Sequence, residues 1–531
     1  MRALLLVLVT GCAVDVAPVL TVEPSAIDLT VALGTPPAPV PVHVYDGNVE
    51  IAAQLELTGA PVGSVAGGAF ASDGLTGGAA TVKATVGSFE LTVPVTVHVV
   101  GWRIADGTPA GAEAAFAAAP RVAFDGKLDP PDGAVIPPNL GALAIAFAAP
   151  DTDDAHEIRI TAPYLDLAVL APSRRVELTA DEWTALHETA TAVDLEVASV
   201  ATAAPIEQHV AHARVEIASL DASPVVFGGI TGSEAPGLWR YDFGQAAAAP
   251  LFAKADGTCF GCHVAVSRDG KKIAAAMLTT DVRTLGGAVV DTQSGNVLAW
   301  SDAASASPWA TAAFDPGGAL VTAWMGALSV READSGALRA TVATEDAVAA
   351  PAISPDGTLL AYVSLDAGPG SAASQPAGNA LKIRRWNTAE AKVGVATELF
   401  RDGGGVELPQ FSSDGRWIAY AHSQVLPDRV AEAPLGASAI RTDGLGTNIA
   451  LTSDPLDKTA QWASPVGSSR GEPMVWIAVV SQRALGGDAA PQQLWLEAFY
   501  PERGIVTPPF HLPGQPAALQ VLHGPVALLP P

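Results

Sequence analysis

The stretch Ser354-Pro-Asp-Gly357, followed by the apolar run Leu360-Ala-Tyr-Val363, is the clearest copy of a pattern that recurs in the second half of this chain. Each copy has an apolar strand, a tight turn that ends in glycine, and a second apolar strand. A glycine-containing hairpin that returns at a period of about 40–60 residues is typical of a β-propeller. The turns are Ser267-Arg-Asp-Gly270, Asp315-Pro-Gly-Gly318, Ser354-Pro-Asp-Gly357 and Ser412-Ser-Asp-Gly415.

The Ser-Pro-Asp-Gly hairpin resembles the TolB-type, WD-like propeller repeat, and the resemblance covers residues 223–531. Degenerate copies around Phe227–Phe252 and Trp462–Phe510 bring the expected number of blades to about six. The resemblance implies the fold and leaves the function open, because propellers host many unrelated activities.

Two further modules are expected before the propeller, so the fold class is all-β. In residues 12–101, the run Phe89–Val99 alternates apolar and polar side chains, which predicts a half-buried strand. The segment from Val22 to Leu29, together with the later stretches Gly68-Ala-Phe70 and Gly78-Ala-Ala-Thr-Val82, resembles a group 2 bacterial immunoglobulin-like domain. After an alanine-rich linker at 102–128, residues 129–222 resemble a fibronectin type III-like sandwich. The capping box Thr179-Ala-Asp-Glu182 predicts one short helix there.

The first twelve residues, MRALLLVLVTGC, have the features of an export signal: one positive charge, a short apolar run and small residues before a cysteine. The segment Val9-Thr-Gly-Cys12 resembles the bacterial lipobox, which implies removal of residues 1–11 and lipid attachment at Cys12. Ala13 follows the cysteine, and the sorting rule for such lipoproteins then implies the outer membrane. The alternative is an ordinary signal peptide that ends beside a free cysteine.

The formal net charge of −26 disfavours binding to nucleic acids and to anionic lipid headgroups. We interpret the acidity as a solubilising surface. A cluster of Asp151, Asp153 and Asp154 lacks the spacing of a calcium loop.

The segment Cys259-Phe-Gly-Cys262-His263 matches the signature of covalent haem attachment. In c-type cytochromes the two thiols bond to the haem, and the adjacent histidine is the proximal iron ligand. The arrangement resembles a group of bacterial TolB-like propeller proteins with an embedded Cys-x-x-Cys-His, which are regarded as cytochrome-like. Two alternatives remain: a Cys259–Cys262 disulfide with an incidental histidine, and a zinc site, for which no second ligand pair is evident.

Pairing within this blade suggests a sixth haem ligand. A turn at Arg268–Asp269 would place His263 opposite Ala274 and Phe260 opposite Met277. Met277 is therefore the first candidate because it is nearest in sequence, and His422 is the second because imidazole is the strongest donor by type. An open sixth position and core packing of the methionines are the alternatives. Counting seven residues past each turn glycine gives the positions expected at the same rim: Met277, Met325, Ser364 and His422.

Two other motifs in the sequence do not predict a catalytic or metal site. Gly467-Ser-Ser-Arg-Gly471 fits the nucleophile-elbow pattern, but it lies between propeller strands, with no hydrolase domain around it, so we expect a loop. His209 and His212 are three residues apart, which is a helix-like spacing for a metal pair, but they lie in a strand-like region, and we expect no acidic partner nearby.

The sequence therefore predicts an exported, lipid-anchored electron-transfer protein with one haem c, held by Cys259, Cys262 and His263, and with the two sandwiches as a stalk. The alternative function is a non-enzymatic TolB-like propeller that binds an envelope protein or a ligand without haem. An oxidase or peroxidase with an open haem is a third hypothesis. A redox partner is implied without being identified.

Overall fold

A computed structural model of the chain describes residues 19–231, 237–245, 247–253, 259–278, 284–302, 305, 308–365, 378–423, 435–452, 454–483, 491–516 and 518–527. Nearly all of its regular structure is β, as predicted. The chain forms two compact units. One comprises Met1–Trp102, Thr161–Leu167 and Thr184–Ala190, and the other comprises Arg103–Ile160, Ala168–Trp183 and Thr191–Pro531.

The first unit is organised around one long strand, β10 (Phe89–Ile104), whose side chains alternate between core and solvent. Val93, Val95 and Val97 are buried, whereas His98 on the other face is exposed, which confirms the alternation predicted for this segment. The first ten strands are β1 (Leu20–Glu23), β2 (Ile27–Ala32), β3 (Val40–Pro41), β4 (His43–Asp46), β5 (Val49–Ile51), β6 (Gln54–Gly59), β7 (Ser64–Ala66), β8 (Ala69–Ala71), β9 (Gly78–Val86) and β10 (Phe89–Ile104).

The next part of the chain contains the two α-helices found in the described residues. Thr179 and Glu182 form the predicted capping box at the second helix: the Glu182 amide donates to Thr179 Oγ1 at 3.2 Å, and the Thr179 amide donates to Glu182 Oε2 at 2.7 Å. The elements are α1 (Ala112–Ala118), β11 (Arg121–Ala123), β12 (Leu128–Asp129), β13 (Val135–Ile136), a 3-10 turn (Pro138–Leu140), β14 (Ala144–Phe147), β15 (Ala155–Ala162), β16 (Leu165–Ala171), β17 (Arg175–Glu177), α2 (Ala180–Thr189), β18 (Ala192–Val200) and β19 (Gln208–Ile217).

The remaining strands form the propeller. They are β20 (Val225–Thr231), β21 (Gly237–Tyr241), β22 (Ala249–Ala253), β23 (Cys259–Val266), β24 (Lys272–Leu278), β25 (Thr284–Asp291), β26 (Val297–Asp302), β27 (Thr311–Phe314), β28 (Ala319–Trp324), β29 (Ala327–Glu332), β30 (Leu338–Val342), β31 (Ala347–Ile353), β32 (Leu359–Leu365), β33 (Gly378–Asn387), β34 (Lys392–Val393), β35 (Thr397–Phe411), β36 (Trp417–Ser423), β37 (Leu435–Arg441), β38 (Ile449–Ala450), β39 (Asp457–Trp462), β40 (Gly467–Ser469), β41 (Glu472–Ser481), β42 (Gln493–Tyr500), β43 (Ile505–Val506), β44 (Phe510–His511) and β45 (Leu519–Ala527).

Within the described residues these strands make six blades, which confirms the predicted propeller. Strand β35 belongs to two blades, since its first part pairs with β33 and its second part pairs with β36. The blades, each in hydrogen-bonding order, are β22-β21-β20-β45, β23-β24-β25-β26, β27-β28-β29-β30, β31-β32-β33-β35, β35-β36-β37-β38 and β39-β41-β42-β43.

The ring closes through its last strand. Strand β45 pairs with β20, so the first blade combines both ends of the propeller segment. Strand β45 also contacts β23 and β39, and the inner strands between them contact each other in the order β23, β27, β31, β35 and β39. A closed ring leaves few exposed strand edges.

The Ser-x-Asp-Gly turns owe their shape to the serine and the glycine. Ser354 Oγ donates to Asp356 Oδ1 at 2.6 Å and accepts the Leu359 amide at 2.9 Å. Gly357 has a φ of +73°, which glycine adopts without strain. Ser267 and Ser412 make the same pair of contacts in their blades.

The second sandwich packs on the sixth blade within the same unit. Trp476 Nε1 donates to the carbonyl of Leu220 at 3.0 Å, and the Arg470 guanidinium donates to the carbonyls of Thr191 and Ile217. Asp129 is buried there and accepts the His511 amide at 3.0 Å. The second sandwich and the propeller are therefore joined by hydrogen bonds to backbone groups.

Both α-helices are short. Among the described residues, no helix has the length and apolar character needed to cross a membrane.

Candidate functional site

The haem-attachment segment forms the first half of β23, the inner strand of the second blade. Phe260 pairs with Met277 as predicted. His263 is not opposite Ala274, however, because Ala265 occupies that position. The register of pairing between β23 and β24 shifts by two residues between Phe260 and Val264. Counting outward from the turn at Arg268–Asp269 therefore gives the wrong partner for His263. The side chains of Cys259, Cys262, His263 and Met277 lie outside the described part of the structure.

The irregularity in β23 recurs in other inner strands. His263 stands four residues before Ser267, just as Ala350 and Leu408 stand four residues before Ser354 and Ser412. Ala350 and Leu408 have φ values of +43° and +52°, and the strand pairing of each shifts at this point. The propeller repeat therefore places His263 at the bulge of its inner strand.

A bulge at this position has a chemical consequence. β-Bulges interrupt the alternation of side chains along a strand and are common beside functional sites. In β23 the irregular part contains Cys262 and His263, two of the three groups that covalent haem attachment requires. The Cys-x-x-Cys-His motif alone does not predict this bulge. An alignment of the inner strands on their turn serines does reveal the position, because β31 and β35 have register shifts at the same place.

The positions predicted for one rim lie at equivalent ends of the second strands. Ser364 pairs with Val348, and His422 pairs with Val406, as Met277 pairs with Phe260. Met325 begins the short hairpin between β28 and β29, has a φ of +46° and is 40% exposed, so packing in the core does not explain it.

The side chain of His422 already has a polar contact and aromatic neighbours. Its Nε2 lies 3.1 Å from Ser438 Oγ, and its ring packs near those of Phe400 and Tyr420 at centroid distances of 6.1 and 5.9 Å. Binding a metal through Nε2 would therefore require His422 to give up its contact with Ser438.

A charged cluster occupies the same end of the fourth blade. Asp346 accepts hydrogen bonds from Lys382 Nζ at 2.9 Å, Arg384 Nη2 at 2.5 Å and the Tyr362 hydroxyl at 3.0 Å. Burial alone would raise the pKa of Asp346, but the hydrogen bonds from Lys382 and Tyr362 and the charge of Arg384 lower it overall. Two cations share this carboxylate, which makes the cluster positive in an otherwise acidic protein.

Glu407 lies one residue before the bulge residue of β35. It is fully buried, and neither of its carboxylate oxygens has a hydrogen-bond partner among the described residues. Burial raises its pKa to about 7. In the repeat, Glu407 stands five residues before the turn serine, which is the position of Cys262 in the second blade.

The aspartate cluster of the second sandwich is a set of separate contacts. Asp151 pairs with Arg174 at 3.1 Å, and Asp154 binds the amide and hydroxyl of Thr202. Asp153 Oδ2 lies 2.7 Å from His209 Nδ1.

The structure also tests what we expected of His209 and His212. The expectation that they lack acidic partners is wrong, because Asp153 contacts His209 and Glu196 lies 3.7 Å from His212. Both partners come from other strands or loops, so sequence proximity does not reveal them. The odd spacing places the two histidines on opposite faces of β19, and they do not form a metal pair.

We expected a loop at Gly467-Ser-Ser-Arg-Gly471, but the structure forms a hairpin there: Gly467–Ser469 are strand β40, and Arg470 and Gly471 turn the chain into β41. No helix follows the serine. Arg470 in this hairpin contacts the second sandwich, so its role is structural. Among the side chains that the structure describes, no group of three His, Cys, Asp or Glu residues could hold a metal ion. Residues 1–18, with the signal segment and Cys12, lie outside the described range.

Among known proteins, the chain is similar to solved structures. No protein-family model matches the chain, and no curated protein does. Similar solved structures include a protein assigned as TolB from Agrobacterium tumefaciens (13% identity, 58% of this chain and 99% of that chain, TM-score 0.32) and hydrazine synthase from Kuenenia stuttgartiensis (13%, 51% and 88%, TM-score 0.29). An oligogalacturonate lyase in complex with manganese matches at 11% identity over 59% of this chain and 87% of that chain, with a TM-score of 0.30. At these scores the matches carry no argument about function, and the fold rests on the sheet topology described above.

Proposed function

We propose that this chain is a lipid-anchored envelope protein whose propeller carries one covalently attached haem c and transfers electrons. The observation that supports this most is the order Cys259, Cys262, His263 in the inner strand of the second blade. Two thiols at this spacing, with a histidine directly after the second, are the complete donor set for attachment of haem c.

The residues present fit this cofactor. Cys259 and Cys262 would hold it through thioether bonds, and His263 would be the proximal ligand of the iron. Bound haem supplies a metal that gains and loses one electron. The bulge between Phe260 and Val264 gives this segment a backbone path that a regular inner strand lacks.

The surrounding strands would tune the site through burial. Ala274, Ala275 and Ala276 on β24 are small and fully buried, so this part of the blade offers an apolar environment of low dielectric constant. Burial and the identity of the axial ligand are the main means by which a protein sets a haem potential. Met277, which pairs with Phe260, is our candidate for the second axial ligand.

The location follows from Cys12. Haem c is attached outside the inner membrane, and the apolar segment before Cys12 has the features of an export signal. Lipid at Cys12 would then anchor the protein stably, because several acyl chains hold where one binds only marginally. Ala13, directly after the cysteine, favours the outer membrane.

The experiment that tests haem attachment is co-expression of the full chain with the haem-maturation machinery, followed by haem staining of a denaturing gel. We expect a stained band at the size of the protein, and no stain for Cys262→Ala. Met325→Ala is a matched control outside the motif and should stain like the wild type. An unstained wild-type band would leave a propeller that acts as a binding module without haem.

The anchor is tested separately. Replacing residues 1–12 with a cleavable export signal that has no lipobox should retain the haem stain and move the protein from the membrane fraction to the soluble fraction. If this variant fractionates like the wild type, the lipid anchor is contradicted and the haem proposal still stands.

A further inference from the structure

A cavity of about 410 Å³ opens at the rim of the propeller that carries the Ser-x-Asp-Gly turns. Residues from the ends of five inner strands line it, together with the turns that follow them. The walls are mostly apolar, because the aromatic side chains of Phe314, Phe411 and Trp462 and five prolines line them. This volume lies within the range of small-molecule sites, which are lined mainly by apolar and aromatic groups.

The cavity offers little to a charged molecule. Arg268 and Asp315 are the charged residues in its lining. Arg268 is exposed at the mouth, and the Asp315 carboxylate accepts the Ala319 amide at 2.6 Å within its own turn. Because moving an ion out of water without a partner is costly, the lining favours a neutral occupant.

One polar group of the lining is unsatisfied. Gln461 is 5% exposed, and its Oε1 has no hydrogen-bond partner among the described residues. The other glutamine of the lining differs, since Gln410 Oε1 accepts the Trp462 amide at 2.9 Å. A buried acceptor without a partner costs free energy, so a ligand that donates a hydrogen bond to Gln461 would gain by binding.

We propose that this cavity binds a neutral, planar aromatic small molecule that carries one N–H or O–H donor. The aromatic and proline side chains would pack against its ring, and the Gln461 carbonyl would accept its hydrogen bond. Gln461 has three rotatable side-chain bonds before its amide and can turn the carbonyl towards a ligand. This site lies at the opposite end of β23 from Cys259, so it does not depend on haem attachment.

The test compares two probes of the same shape. A fluorinated indole has one N–H donor, and the matching fluorinated benzofuran has an oxygen there and cannot donate. Their dissociation constants are measured by fluorine NMR with the full mature protein. We expect the indole to bind about fivefold more tightly than the benzofuran, which corresponds to one net hydrogen bond.

Variants locate the acceptor. Gln461→Met keeps the length of the side chain and removes the carbonyl, so both probes should bind it equally. Thr459→Val is the matched control: Thr459 Oγ1 is also buried without a partner, but Thr459 does not line the cavity. That variant should keep the preference for indole. Thermal melting confirms that each variant is folded.

Three results would overturn the proposal: no binding of either probe up to about 1 mM, equal affinity of both probes for the wild type, or a preference for indole that survives Gln461→Met. If Gln461→Met does not fold, the wild-type comparison alone still decides.

Discussion

Ala265 lies opposite Ala274 in the second blade, although Phe260, five residues earlier, lies opposite Met277. The inner strand therefore accommodates two more residues than its partner between these pairs. Cys262 and His263 belong to that segment. The haem-attachment signature thus coincides with the one part of β23 where the backbone departs from a regular ladder.

The account predicts a role for Met277 in the haem-loaded protein. Met277→Ala should change the reduced absorption spectrum and lower the midpoint potential, because a thioether axial ligand raises the potential of haem iron. Met325→Ala is the control, since Met325 lies in a hairpin at the equivalent end of another blade. Redox titration measures both. A Met277→Ala protein with the wild-type potential would exclude this methionine as ligand.

Glu407→Gln should change how stability depends on pH. Burial raises the pKa of Glu407 from 4.5 to about 7 in the folded protein. The protonated carboxyl is favoured by folding, so its contribution is fully present below about pH 4.5 and is lost as the pH rises through 7. At pH 8 the variant should be more stable than the wild type by roughly 3 kcal/mol, and at pH 4 the two should be equal.

Urea unfolding at the two pH values measures this difference. Glu390→Gln is the control, because Glu390 is exposed in an ion pair with Lys392. A wild-type protein and a Glu407→Gln variant with parallel pH profiles would contradict the argument.

Ser354→Ala should destabilise the fourth blade by about 1–2 kcal/mol, because the Leu359 amide loses its hydrogen-bond acceptor. The same change should raise the pKa of Asp356, since the hydrogen bond from Ser354 is the largest factor that lowers it. Denaturant unfolding and carboxylate NMR titration measure the two effects. Ser335→Ala, in an exposed turn with a longer contact of 3.3 Å, should have little effect. Equal losses in both variants would argue against the role of the turn serine.

Arg470→Ala should loosen the second sandwich from the sixth blade by roughly 1–3 kcal/mol, since the carbonyls of Thr191 and Ile217 each lose a charged donor. Hydrogen exchange of peptides that contain Thr191 and Ile217 should accelerate. Arg503→Ala, which removes an exposed ion pair with Glu472, is the control. Unchanged exchange in Arg470→Ala would show that other contacts hold the sandwich.

The sequence was sufficient for the strands and turns of the propeller because their signals are local. Alternating apolar residues and a glycine at positive φ, as at Gly357, determine each hairpin without help from distant residues. The capping box at Thr179 was predictable for the same reason.

Features that depend on distant parts of the chain could not be read from the sequence. The contact of His209 with Asp153 joins residues 56 positions apart. The bulge in β23 shifts the pairing with β24, but it leaves no mark in the order of apolar and polar residues. Counting from the turn therefore placed His263 opposite the wrong residue. The unsatisfied Gln461 is visible only once five inner strands converge around the cavity.

The most direct test of the central claim is the intact mass of the mature protein, purified after co-expression with haem-maturation machinery, together with its absorption spectrum. The account predicts the mass of the lipidated polypeptide plus one haem and a Soret band. A mass equal to the lipidated polypeptide alone, without Soret absorption, would contradict it.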